Sequence, residues 1–341
     1  MKDDRFHELV TDFRSKRIAV IGDFILDEYL IGDTRRVSRE APVIVIDYRE
    51  SVYHPGGAAN AAQNVTALGA GARVFGIVGD DRYGETLAGI LAARAVNVSG
   101  LVKEASVATA VKTRILAGEL HAQKQQIARI DRSCTVPADA SARAGLGELV
   151  SSMAEESDAV LFSDYGMGLV PGPLSEAVIG TCRARSIPIV VDSRFNLLRF
   201  HGATVATPNE VELYEALQIK EHERSNLDGL AARVLSEQDL DGMVVTRGSK
   251  GMRVFAGDAG GESVGIVGSR DVTDVTGAGD TVAAALVLAL SSGANLAEAA
   301  EIATYAAAVV VMKRGTATVT HDELGAIRKK HPSPRDDGAF A

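Results

Sequence analysis

The feature that most narrows the fold is an alternation of short apolar runs with helix-length segments, repeated along most of the chain. Residues 17–21, 72–78, 158–162, 187–191, 203–206 and 242–246 read as strands, and 7–14, 56–68, 83–95, 140–153, 172–184, 210–217 and 226–237 as helices. A further run, 262–267 with 252–255 beside it, reads as a hairpin-like pair, and helices are expected near 281–291, 296–312 and 322–330. Strands separated by helices pair in parallel, because each crossover returns the chain to the same end of the sheet. The pattern predicts an α/β fold, a three-layer α/β/α domain with a mostly parallel sheet. One such domain is expected over residues 1–330, with a charged, Pro-containing flexible tail at 331–341.

Two stretches break the rhythm, at about 33–54 and 106–131. They hold strand-like runs (42–46, 109–116 and 126–130) and leave no room for a crossover helix. They are expected to pair as a small β-sheet over the ligand-binding edge of the main sheet, as a lid. An exposed apolar edge on such a lid favours a homodimer.

The stretch richest in chemistry is Asp274-Val275-Thr276-Gly277-Ala278-Gly279-Asp280-Thr281, between a β-like run and an Ala/Leu/Val block with no helix breaker. Two glycines at a strand-to-helix corner permit a tight turn with outward N–H groups, and the helix dipole adds to their field. Gly277, Ala278 and Gly279 are thus candidates for an anion hole. Asp280, in the first helical turn, is a candidate to take a proton from an incoming hydroxyl. A plain helix cap with turn-forming glycines fits the same residues.

Composition removes several alternatives. The net charge is −9, with no Lys/Arg-rich block, which argues against nucleic acid and anionic membrane as partners. Cys134 and Cys182 stand alone, so neither a zinc ribbon nor a disulfide framework is expected. The 16 N-terminal residues are of mixed charge, and no apolar run reaches the ~20 residues of a membrane span. A soluble, cytoplasmic protein is expected. The chain has no G-x-x-x-x-G-K-[ST], no G-x-S-x-G and no dinucleotide-type G-x-G-x-x-G.

Three further clusters carry candidate roles. Asp23 and Asp27 follow the first strand, at the edge where open α/β sheets bind ligands. Gly56, Gly57 and Asn60 open a helix where backbone can approach a ligand closely, so these five residues are candidates to hold a sugar-like substrate. Asn209 and Glu212 lie three apart on one helix face and suit a hydrated Mg²⁺, Asn209 through water; a helix start with first-turn acids is the alternative. Thr246, Gly248 and Gly251 form a polar Gly turn after a strand, fit either for nucleotide phosphates or for closing a hairpin.

Taken together, Gly56–Ala62 and Asp274–Thr281, with N-x-x-E between them, resemble the two signatures of the ribokinase-type (PfkB) carbohydrate kinases. The resemblance runs over residues 15–325 and implies a ribokinase-like fold, ATP and Mg²⁺ as cofactors, and a monovalent cation as a further candidate. Val20-Ile21-Gly22-Asp23, Glu40-Ala41-Pro42-Val43, Lys112-Thr113-Arg114, Ser163-Asp164-Tyr165 and Gly315–Val319 are similar to the heptose 7-phosphate kinase branch of that family. This implies phosphorylation of the anomeric hydroxyl of D-glycero-D-manno-heptose 7-phosphate, a step toward lipopolysaccharide heptose. Lys112, Arg114 and Asp164 then join the substrate candidates, and Thr276 the nucleotide candidates. The chain departs from that branch at Arg39, Met167, Ser193-Arg194 and Thr304, and it lacks H-x-G-H, so adenylylation is expected to need another protein. Other readings are a kinase of another sugar, sugar phosphate or nucleoside, and a catalytically silent sugar-binding regulator.

Overall fold

Apolar runs such as Ile18-Ala19-Val20-Ile21 send alternate side chains to opposite faces of a strand, and here both faces are covered. A computed structural model describes residues 1–118, 124–137, 141–151, 153–170, 172–220, 226–257, 260–268 and 273–334. Along the chain, α1 (Asp3–Asp12) leads into β1 (Arg17–Gly22) and the long strands β2 (Phe24–Val37) and β3 (Ile44–Gly57). Next come α2 (Ala58–Ala67), β4 (Gly71–Gly79), α3 (Arg82–Ala93), β5 (Asn97–Glu104), β6 (Ala110–Gly118) and β7 (Gln125–Arg132). They are followed by α4 (Ala142–Ser151), α5 (Met153–Glu156), β8 (Ala159–Asp164), α6 (Pro173–Ala184), β9 (Ile189–Ser193) and β10 (Val205–Ala206). The remainder is α7 (Glu210–Ala216), α8 (Leu227–Gln238), β11 (Gly242–Thr246), β12 (Met252–Ala256), β13 (Glu262–Val264), α9 (Ala278–Ser291), α10 (Leu296–Val310) and α11 (His321–Lys330).

Among the described residues, nine strands form one sheet in the order β13-β12-β11-β10-β9-β8-β1-β4-β5. Every pair from β5 across to β11 is parallel, and β12 and β13 add an antiparallel edge. On one face Ile18, Val20, Leu161 and Val190 pack with α2, α9 and α10; on the other Ala19, Ile21, Phe162 and Val191 pack with α4, α6 and α8. The expected three-layer arrangement is therefore present. Helix α9 is buried at every position from Asp280 to Ala289, which its Ala-rich sequence permits by letting neighbouring elements approach closely.

A second sheet, β3-β2-β6-β7, stands apart from the first. The two rhythm-breaking stretches do pair with each other, through the parallel β2–β6 ladder that sets Asp27 against Lys112 and Tyr29 against Arg114. The expected bounds need correction. The first segment begins at Phe24 rather than near 33 and runs to Gly57, while the second reaches Arg132; residues 119–123 lie outside the described residues. Asp27 therefore belongs to the small sheet, not to the end of β1. The strands β2 and β5 were not expected as such. In β2 the acidic residues Asp27, Glu28 and Asp33 look like loop sequence, yet they are only 2%, 8% and 7% exposed. Each has found a partner: Arg114 for Asp27, Thr113 and Tyr53 for Glu28, and Arg49 and Lys124 for Asp33. Gly56 and Gly57 end β3, and Gly57 is at the same time the N-cap of α2, as expected of a glycine pair at a helix start; most of the expected tail, 335–341, lies outside the described residues.

Candidate active site

Helix α9 begins at Gly277, whose φ of 76° is the left-handed geometry that glycine adopts without strain. The preceding turn is tied down by Asp274: its Oδ1 accepts from Thr276 N (2.9 Å) and Thr276 Oγ1 (2.7 Å), and its Oδ2 from Gly315 N (2.9 Å). The hydroxyl of Thr276, a nucleotide candidate, is thus engaged within the turn. Of the three amides that were candidates for an anion hole, one is engaged within the turn. Ala278 N donates to Val275 O (3.2 Å), while Gly279 N–H has no acceptor among the described residues.

Asp280 is 3% exposed, and its carboxylate is held by elements far away in sequence. Asn60 Nδ2 of α2 donates to Oδ2 (2.7 Å), and Tyr165 O–H, just past β8, donates to Oδ1 (2.8 Å). Burial pushes the Asp280 pKa up to about 6, against the opposing pull of the Asn60 and Tyr165 hydrogen bonds. Burial also pushes the Tyr165 phenol well above its ordinary value, with Asp280's charge adding to the effect, so it remains a donor. Tyr165 was not among the site candidates, although it stands in the Ser163-Asp164-Tyr165 stretch that carried part of the resemblance.

The predicted substrate residues divide by task. Asn60 is fully buried, with its amide committed to Asp280 and to Gly277 O (3.3 Å), so it sits beneath the acid and not on an open surface. Asp23 Oδ2 accepts from Tyr165 N (2.8 Å) and Met167 N (3.0 Å), and burial raises its pKa to about 6. Asp164 accepts from Gly166 N (3.0 Å), Ser193 Oγ (2.6 Å) and Asn196 Nδ2 (3.0 Å). These two acids organise the loops after β8 and β9. Gly57 has φ +57°, and an added Cβ would stand 2.7 Å from Asp23 O; at Gly56 it would stand 2.8 Å from Asp27 Oδ2. The glycines are therefore required by close packing around the two aspartates.

Lys112 and Arg114 reach the same cleft from β6. Arg114 pairs with Asp27 (2.7 Å) and lies over the Tyr29 ring, and the Lys112 ammonium lies 4.9 Å from the Tyr165 ring centre. Burial lowers the Lys112 pKa, while Asp27 and Asp280 raise it and Arg194 and Arg114 lower it. The charges of Asp27, Asp280, Lys112, Arg114 and Arg194 thus bear on one small volume.

On the other side of the corner a cavity of roughly 190 Å³ is lined by Ala278 and Gly279 and by Thr246, Gly248 and Gly251. Its remaining walls include Met252, Ile266, Val275, Thr304 and Val311, an apolar slot of the kind that takes a flat heteroaromatic ring. Val275 is 69% exposed, a large apolar side chain left uncovered by the fold.

Asn209 and Glu212 form a reciprocal cap at the start of α7: Glu212 N donates to Asn209 Oδ1 (2.9 Å) and Asn209 N to Glu212 Oε2 (2.8 Å). Burial raises the pKa of Glu212, and that of Asp192 well above its ordinary value, with the charges of Asp280 and Glu212 adding to the latter. Asp192 was not among the sequence candidates; a lone aspartate at a strand end carries no motif. Among the described residues no three His, Cys, Asp or Glu side chains converge as a complete metal cage.

The raised pKa of Asp280 has a stability consequence. The folded state holds that proton more tightly than the unfolded chain does, so Asp280 favours folding below pH ~4 and loses this advantage as pH rises through about 6. Asp280→Asn is expected to stabilise the protein by about 1–2 kcal/mol at pH 7.5 and to make little difference near pH 4. Urea midpoints at the two pH values test this; equal effects at both would contradict it.

With the geometry in place, comparison with known proteins is informative. Bifunctional protein HldE of Geobacter metallireducens is 38% identical over 325 residues, covering 95% of this chain and 65% of the relative. HldE of Syntrophotalea carbinolica is also 38% identical, over 329 residues with the same coverages. The chain therefore spans just under two thirds of the length of these relatives. Among solved structures, Arabidopsis thaliana ribokinase complexed with ribose and ATP superposes with a TM-score of 0.70 at 19% identity, covering 92% of this chain and 99% of that one. Escherichia coli phosphofructokinase-2 in complex with potassium gives 0.72 at 19% identity, over 92% and 98% of the two chains. These two likenesses establish the ribokinase-like fold. The model of the pfkB family carbohydrate kinases matches residues 15–323, and the chain belongs to that family of sugar phosphotransferases.

Proposed function

We propose that this sugar kinase moves the γ-phosphoryl group of ATP onto the anomeric hydroxyl of D-glycero-D-manno-heptose 7-phosphate, in the cytoplasm, giving the 1,7-bisphosphate. The observation that carries the reading is the position of Asp280. Asp280 directly follows Gly279, which lines the apolar slot, and its carboxylate accepts from Tyr165, over whose ring the Lys112 ammonium lies. The adenine ring occupies the slot, with the phosphates at the corner. The acceptor hydroxyl passes its proton to Asp280 as its oxygen bonds the γ-phosphorus, and the bond from that phosphorus to the β–γ bridging oxygen breaks, its electron pair leaving with ADP. Positioning and fixed dipoles suit this chemistry, in which charge spreads over the transferred group.

Glu212 and Asp192 fit Mg²⁺, since both are partly buried carboxylates, hard oxygen donors, and the charge of Glu212 raises the proton affinity of Asp192. Bound there, Mg²⁺ neutralises the ATP phosphates, and Asn209 serves by holding Glu212 in place. The acceptor's phosphate is assigned to Lys112 and Arg194, since a guanidinium grips phosphate bidentately. The small sheet acts as a lid that keeps water from the phosphoryl group. Its rim exposes Val37, Ile44, Tyr48 and Ile130 at 62%, 52%, 61% and 59%, which a second copy of the chain would cover.

Asp280→Asn is expected to cut turnover by at least ~10² with ATP binding nearly unchanged; near-normal turnover would remove Asp280 from the base role. In an acceptor panel, heptose 7-phosphate should outcompete ribose, fructose and adenosine. A neutral sugar at the top would assign the chain to another acceptor within the same family. Light scattering at micromolar concentration should give a dimeric mass, and a monomeric one would count against pairing through the lid.

A further inference from the structure

A cavity of roughly 800 Å³ shares no lining residue with the apolar slot and is not lined by Lys112, Arg114 or Tyr165. It opens between the C-terminal ends of α2 and α3, the lid strand β3 at His54, and the loop 313–318. Arg94, Lys313 and Arg314 line it, and none of its lining residues is acidic. On a chain of net charge −9 this is a local reversal of sign, and a concave cationic surface concentrates small anions. Lys313 is engaged, pairing with Glu323 (2.7 Å) and donating to Thr318 O (2.7 Å), and so fixes the loop. Arg94 is exposed at the mouth, with no carboxylate partner among the described residues. Beside it, burial and the charge of Arg94 hold the His54 pKa below its ordinary value, leaving a neutral imidazole at pH 7.

Two walls of this cavity lead directly to the catalytic corner. In α2, Gln63 Nε2 donates to Asn60 Oδ1 (2.6 Å), and Asn60 Nδ2 donates in turn to Asp280 (2.7 Å). Gln63 thereby fixes which end of the Asn60 amide faces the acid. In the loop, Gly315 N donates to Asp274 Oδ2, and a Cβ built on Gly277 would stand 3.3 Å from Thr316 Cγ2, so the loop lies against the amide turn. On these same walls, Gln63 Oε1 and Thr316 Oγ1 are buried oxygens without a hydrogen-bond partner. Unpaired buried polar atoms are uncommon and call for a reason.

We propose that this cavity is a second ligand site, taking a small hydroxylated phosphomonoester, and that its occupant adjusts the Asp280 corner through Gln63 and Thr316. The phosphate answers Arg94. The hydroxyls answer the two unpaired oxygens once a small side-chain rotation exposes them. Binding stands independently of the catalytic reading; only the adjustment of Asp280 rests on it.

The test is calorimetric titration of inorganic phosphate and of glycerol 3-phosphate into the nucleotide-free protein at fixed ionic strength, with Arg94→Glu and Asp280→Asn alongside. Glycerol 3-phosphate should bind more tightly than inorganic phosphate, Asp280→Asn should retain that binding, and Arg94→Glu should weaken it at least tenfold. In turnover assays, saturating glycerol 3-phosphate should change kcat at least twofold in the wild type and not in Arg94→Glu, whose kcat without it stays within twofold of wild type. Unchanged affinity and stoichiometry in Arg94→Glu would overturn the site, as would an absence of binding to the wild type. Equal affinity for both probes would overturn the hydroxyl contacts, and binding without a kinetic effect would overturn the coupling. Near-normal turnover in Asp280→Asn would refute the base assignment while leaving the Arg94→Glu binding result to be judged separately.

Discussion

The site depends on keeping a carboxylate out of water without letting it become inert. Removing Asp280 from solvent favours its protonated form, and the nearby charge of Asp27 pushes the same way. Two donors hold the balance, one from α2 and one from the end of β8, each committed to a different oxygen. Without them desolvation would carry the acid further from ionisation at neutral pH. With too many, it would lose its basicity. A value near 6 leaves most molecules ionised at pH 7 and still ready to accept a proton.

That balance explains why so many polar groups are buried nearby. Asn60 can face Asp280 with its nitrogen because Gln63 and Asn64 both donate to its oxygen. Asn64 in turn accepts from Val319 N (3.2 Å), so the chain of amides reaches the segment before α11. Tyr165 is positioned by Asp23, whose carboxylate takes the Tyr165 backbone N–H. Each buried acid or amide in this region thus orients another group, and the raised pKa values of Asp23, Asp192 and Asp280 mark where the fold accepts a destabilising charge.

How much of this could be read from the sequence differed by residue. The Gly277–Gly279 corner and the buried α9 were legible because their requirements are local: glycine geometry and an unbroken apolar helix. The alternation of strands and helices was legible for the same reason. Strand β2 was not, because whether Glu28 is a loop residue or a buried one depends on Thr113, 85 residues away. Asn209 and Glu212 show a different limit. N-x-x-E is the spacing both of a pair of oxygen donors and of a reciprocal helix cap, and only coordinates reveal that the cap is formed. Tyr165 acquires its role from a phenol 2.8 Å from an acid 115 residues further on, a distance no local pattern encodes.

The small sheet connects these local facts to the cleft as a whole. β2 starts two residues after β1 ends, and Gly57 closes β3 where α2 begins, so the sheet is anchored at both ends to elements that hold the acid. Asp23 lies in the first junction and Asn60 just beyond the second. Between the anchors, Asp27 and Arg114 pair across the β2–β6 ladder, and Lys112 leans over Tyr165. A movement of this sheet cannot leave the cations where they are, because they are part of its strands. The two donors to Asp280, Asn60 and Tyr165, lie on the main body instead. The hydrogen bonds that hold Asp280 thus come from the main body, while the nearby charges of Lys112 and Asp27 come from the small sheet, so the two influences on the acid are carried by different parts of the fold.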